Sequence, residues 1–118
     1  MDPCDYPEWV VDRYRLAKVM YKKMNGEDLD LTGYDEVWIY NCLQHTIDPE
    51  KIIRNAKRAA KLVRIFEWIE CGTSKGHPHE LTEKGLNKWL GGEGKVENLK
   101  GQNTCSGRCY YGIFKGDE

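Results

Sequence analysis

Tyr34-Asp35-Glu36-Val37-Trp38-Ile39-Tyr40-Asn41-Cys42-Leu43-Gln44-His45 passes through a helical segment into Leu62-Val63-Arg64-Ile65-Phe66-Glu67-Trp68-Ile69-Glu70, and the whole reads as strand, helix, strand. Two apolar strands on either side of one amphipathic helix imply a parallel pair, because parallel strands need a crossover connection. The carboxyl edge of that pair carries Asn41, Gln44, His45, Glu67 and Trp68. Open α/β sheets bind ligands at this edge, so function is sought there.

Outward from this unit, Asp48 caps a helix over residues 49–61, Pro49 suits its first position, and Ile52, Ala56, Ala59 and Val63 line one face. A second helix is expected over residues 83–90, with Thr82 as cap, Leu81 and Leu86 as a hydrophobic staple and Gly91 as left-handed terminator. A short amphipathic helix is expected over residues 8–17 and an edge strand over residues 19–24, ended by Asn25-Gly26. Residues 95–99 and 109–114 read as a terminal antiparallel hairpin.

At 118 residues the chain is expected to be one domain, residues 1–118, with no internal repeat. Its 18 basic and 19 acidic residues leave a net charge of -1, so no global field draws it to nucleic acid or an anionic membrane. No apolar run approaches the roughly 20 residues that span a bilayer. A soluble, cytoplasmic protein is expected, with its five cysteines as free thiols.

The segment Asn41-Cys42-Leu43-Gln44-His45-Thr46-Ile47-Asp48-Pro49 and the elements around it resemble the carboxyl-terminal part of a class I S-adenosylmethionine-dependent methyltransferase. In that family a fourth strand ends in an Asn/Asp-x-Leu-x-His type segment facing the methionine part of the cofactor. A helix and fifth strand follow, and an antiparallel sixth and seventh strand close the sheet. The resemblance implies S-adenosylmethionine (SAM) as cofactor and covers residues 19–114. It also implies that Asp28 and Leu29 meet the adenine, that Asp2 stands where the family holds the ribose hydroxyls, and that Asn41 faces the methionine end.

The family's first strand and glycine-rich turn have no counterpart here. The one G-x-G, Gly92-Glu93-Gly94, follows a helix and reads as its terminator. The fold class expected is therefore α/β, an incomplete Rossmann-like methyltransferase sheet with a C-terminal antiparallel hairpin. An unpaired apolar strand invites pairing with another chain, so completion by a homodimer or a strand swap is expected.

Methyl transfer needs positioning more than a dedicated acid or base. His45 is the candidate catalytic base, its ordinary pKa near 6.5 suiting proton removal from a hydroxyl or amine. Gln44, Glu67 and Trp68 are candidate substrate contacts at the strand ends, the last two by charge and stacking. His77 and His79 join them from a loop, residues 71–79, expected to lie over the same edge.

No metal is expected, because Cys105 and Cys109 have a C-x3-C spacing that is not a compact zinc knuckle. Lys51, Arg54, Arg58 and Lys61 form a cationic stripe expected to face solvent, with nucleic acid not a partner. Two functions follow. One is a truncated methyltransferase-like protein binding SAM across an oligomer and acting on a small molecule. The other is a non-catalytic interaction or regulatory module on a degenerate methyltransferase fold.

Overall fold

Asp48 Oδ1 accepts the Lys51 N–H at 3.0 Å, and with Pro49 in the first turn this starts a helix at Pro49–Ala59. The helix ends as Ala60 turns to extended backbone and opens a strand at once. Thr82 Oγ1 accepts the Gly85 N–H at 3.1 Å to start Glu83–Leu90, and Gly91 ends it with φ 74, a conformation open to glycine. The staple holds too, since Leu81 and Leu86 are both buried.

In the computed structural model, which describes residues 5–20, 22–76, 78–99 and 106–117, these helices belong to a short series of elements. They are α1 (Glu8–Leu16), β1 (Tyr34–Tyr40), α2 (Pro49–Ala59), β2 (Ala60–Trp68), α3 (Glu83–Leu90), β3 (Lys95–Asn98) and β4 (Arg108–Lys115), with 3₁₀ turns at Gly26–Asp28 and Leu43–His45.

The four strands make one sheet in the order β1-β2-β4-β3. β1 and β2 are parallel, with Val37 beside Val63 and Tyr40 beside Phe66. β4 runs antiparallel to β2 and to β3, so the terminal hairpin folds back into the sheet as expected. The architecture is an open, mixed α/β sheet with β1 at one edge.

Alternate strand residues face opposite ways, and here the two sets have different fates. Ile39, Val63, Ile65, Tyr110 and Phe114 join Ile52, Ile53, Ala56, Leu86 and Leu90 from α2 and α3 in one core. The Tyr110 hydroxyl, pushed up to about 12 chiefly by burial, donates to Asn87 Oδ1 at 2.7 Å. The other face of the sheet meets neither α2 nor α3.

Two expectations are corrected. Among the described residues of 19–24 there is no strand; Val19 and Met20 are exposed, Lys23 forms an isolated bridge, and Tyr21 lies outside the described residues. Apolar and polar residues alternate there, but without a sheet neighbour alternation has nothing to bury against. Cys71 is disulfide-bonded to a partner outside the described residues, so the five thiols are not all free. Among the described residues no helix is long and apolar enough to cross a membrane.

Candidate functional site

The strand that leads to the site stops at Tyr40. Asn41 turns the chain through φ 51, a left-handed conformation that Asn tolerates, while its N–H still donates to the Phe66 carbonyl at 2.7 Å. Cys42 is past the end of the strand and exposed.

One carboxylate holds the loop that follows. Glu67 Oε1 accepts the N–H groups of Cys42 at 2.9 Å and Leu43 at 3.0 Å. Glu67 is fully buried, and its Oε2 has no hydrogen-bond partner among the described residues. Burial pushes the carboxyl up to about 7, against the two backbone donors, which favour the charged form.

Glu67 is thus an internal anchor in this structure, not a charge facing solvent. Trp68 faces the other side of the sheet, where its ring meets Phe66 edge-on with centroids 5.3 Å apart. The two residues do not come together as one clamp.

In the turn Leu43–His45, Leu43 and Gln44 are buried and His45 is exposed. His45 Nδ1 is 2.8 Å from the Gly76 carbonyl oxygen. A carbonyl only accepts, so Nδ1 carries the hydrogen and the neutral ring's basic lone pair lies on Nε2. His79 Nε2 donates to the Ile47 carbonyl at 2.5 Å. These two contacts fold the loop of the seventies over the carboxyl edge, where the sequence places it.

The opposite wall is the 3₁₀ turn Gly26–Asp28, held down by α2. Asn55 Nδ2 donates to the carbonyls of Gly26 and Glu27 at 3.2 and 3.0 Å. Arg58 Nη2 donates to the Leu29 carbonyl at 3.0 Å and to Asn55 Oδ1 at 3.1 Å. Arg58 is exposed with Lys51, Arg54 and Lys61, as expected of the cationic stripe, while its guanidinium reaches back to these groups. Sequence reasoning missed Asn55, although its place three residues from Ile52 and four from Ala59 sets an amide within the apolar stripe.

Between these walls lies a crevice of about 510 Å³ lined by Met24, Glu27, Leu29, Val37, Ile39, Cys42, His45 and Ile52, among others. Of the expected site residues, Leu29 and His45 line it directly. Asp28 and Asn41 adjoin lining residues in the chain without being in the wall, and Asp28 is exposed. Asp2 and His77 lie outside the described residues.

Gly92-Glu93-Gly94 is distant in role, its first and last N–H groups closing the end of α3 on the Asn87 carbonyl and Asn87 Oδ1. Among the described residues no group of three or more His, Cys, Asp or Glu side chains is placed to hold a metal ion.

This geometry has solved counterparts. The N-terminal domain of EvdMO1, in the presence of SAH and D-fucose, superposes with a TM-score of 0.60 at 18% identity, over 92% of this chain and 60% of that one. The same domain with SAH bound gives 0.60 at 18%, over 92% and 58%. A SAM-dependent methyltransferase from Aquifex aeolicus gives 0.53 at 19%, over 90% and 60%.

This chain thus spans about 60% of the length of those domains. No family model matches it, and no curated protein does. At such identities the likeness is one of fold: this chain carries a methyltransferase-like α/β fold.

Proposed function

We propose that this chain binds SAM, with the adenosyl part in the crevice between the turn Gly26–Asp28 and β1. The observation that carries the reading is the crevice itself. It runs along β1 from Val37 to the turn past the strand's carboxyl end, against α2, and its volume suits a small molecule. The neighbouring EvdMO1 domain binding SAH in the same fold supports it.

The residues present fit such a ligand. Val37, Ile39, Ile52 and Ala56 offer an apolar floor, while Asn25, Glu27, His45 and Thr46 supply polar groups. Asp28 at the adenine and Asn41 at the methionine end remain part of the proposal, each one residue from the wall. SAM supplies an electrophilic methyl group when bound. The chain's own contribution is position, together with a His45 lone pair at Nε2 able to take a proton from a hydroxyl or amine.

A thiol at the crevice gives the test. Cys42 is exposed and lines the wall, whereas Cys109 is buried. SAM or SAH is expected to slow alkylation of Cys42 by a maleimide, read by peptide mapping, and to give a calorimetric binding isotherm that His45→Ala weakens. Unchanged alkylation and no heat would leave the second reading, a non-catalytic interaction module. The uncovered second face of the sheet is what favours that reading.

A further inference from the structure

Among the described residues, the face of the sheet turned away from α2 and α3 is aromatic and partly exposed, with Phe66, Trp68 and Tyr111 half-buried and Cys109 buried. By register it carries Trp38 and Tyr40 from β1, Arg64, Phe66 and Trp68 from β2, and Tyr111 and Ile113 from β4. Trp38 is 64% exposed, Ile113 55% and Tyr40 53%. The rings are already arranged, Trp38 stacking on Tyr40 with centroids 5.9 Å apart. A hollow of about 440 Å³ opens among Tyr40, Arg64, Phe66, Tyr111 and Ile113. Parallel strands normally have both faces covered, and contiguous apolar surface of this kind marks an interface.

We infer that this face binds the same face of a second copy. Several of its polar groups already have partners within the chain. Arg64 Nε and Nη2 donate to Glu36 at 3.0 and 3.1 Å, the Trp38 indole N–H donates to Glu36 at 2.7 Å, and the Tyr111 hydroxyl donates to Glu97 at 2.6 Å. Covering the face leaves these bonds in place.

The charge pattern chooses the occupant. The centre of the face carries one cation and one anion side by side, so it has no surplus positive charge for phosphates. Across a twofold axis the same pattern meets itself with Arg64 toward Glu36, as an isologous interface requires.

Two such sheets pack about 10 Å apart and rotated by about 30°, giving a helix, sheet, sheet, helix stack. This inference stands on the sheet and does not need the cofactor.

Sedimentation velocity of the full chain, without SAM, tests it. A dimer that dissociates on dilution is expected. Ile113→Lys, remote from the crevice, and Trp38→Lys are each expected to raise the dissociation constant at least about tenfold while circular dichroism shows a folded chain.

Hydroxyl-radical footprinting of the unaltered chain, expected to show Trp38 and Tyr40 growing protected with concentration, keeps the test open if either variant misfolds. A monomer at every concentration overturns the inference. So does a dimer indifferent to both substitutions, which would place the contact elsewhere, such as the open edge of β1. Protection seen only on adding single-stranded oligonucleotide overturns it in favour of nucleic acid. Because SAM is absent throughout, failure here is separate from failure of the cofactor reading.

Discussion

The two faces of this sheet come from alternate residues of the same strands, yet only one became a core. Val37, Ile39, Val63 and Ile65 lie under α2 and α3, while Trp38, Tyr40, Phe66 and Trp68, no less apolar, lie on a face those helices leave open. Apolar content does not separate the faces; the placement of the helices does. Each face also carries a carboxylate, and the two are perturbed in opposite directions. Burial raises Glu67, and the Arg64 hydrogen bond lowers Glu36, with the Trp38 indole adding to it.

The largest expected effect tests the packing difference itself. Leu86 is fully buried between α3 and the sheet, so Leu86→Ala is expected to cost about 2–5 kcal/mol in urea unfolding. Trp38→Ala, measured under dilution that keeps the chain monomeric, is expected to cost no more than about 1 kcal/mol. Equal losses would mean that the second face is packed against something within the chain.

Glu67 gives the next effect, in pH. Its carboxyl titrates near 7 when folded and near its ordinary 4.5 when unfolded. Between those values the folded chain holds the extra proton, so stability falls as pH rises through that window. The full change is about 3 kcal/mol. Glu67→Gln keeps an oxygen for the Cys42 and Leu43 N–H groups and is expected to flatten that slope, as read by urea midpoints across the window. A slope that survives the substitution would mean Glu67 is not the titrating group.

Asn55 lies on the covered side, where a polar group holds the wall of the crevice. Asn55→Ala removes the donors to Gly26 and Glu27 and the acceptor for Arg58, and is expected to cost about 1–3 kcal/mol. Hydrogen exchange at the Asp28 and Leu29 amides, which donate to Asn25 and Gly26, is expected to rise with it. Loss of stability without faster exchange there would detach Asn55 from the crevice.

What could be read in the chain follows the range of the interactions. Asp48-Pro49, Thr82 and Gly91 act within a turn of their own backbone, and α2 and α3 stand where those residues put them. The alternation at Val37 and Ile39 and at Val63 and Ile65 located the strands, and the crossover fixed their parallel sense. The site was legible only in outline. Leu29 and His45 reach the crevice, but Glu67 looked like a surface charge, because nothing local announces that two N–H groups 24 and 25 residues upstream will converge on it. That Trp38 and Tyr40 stay exposed was not legible, because a strand's pattern says which residues share a face and not whether a helix covers it. Residues 19–24 failed for the same reason, alternation being a property of the segment and burial a property of its neighbours.

The smallest expected effect belongs to Glu36, and its sign is its value. Arg64 and Trp38 stabilise its charged form, so Glu36 contributes stability that is present above its ordinary 4.5 and is lost as pH falls through its lower folded value. Being on the open face, the pair is screened by solvent, and the contribution is small. Glu36→Gln is expected to make the acid limb of the stability curve shallower while leaving the window between 4.5 and 7 unchanged. Glu67→Gln is expected to do the reverse. If Glu36→Gln instead altered the upper window, the two carboxylates would be coupled through the sheet, and its faces could not be treated as separate environments. Added salt sharpens the test, because it is expected to weaken the Glu36 effect and to leave that of the buried Glu67 nearly unchanged.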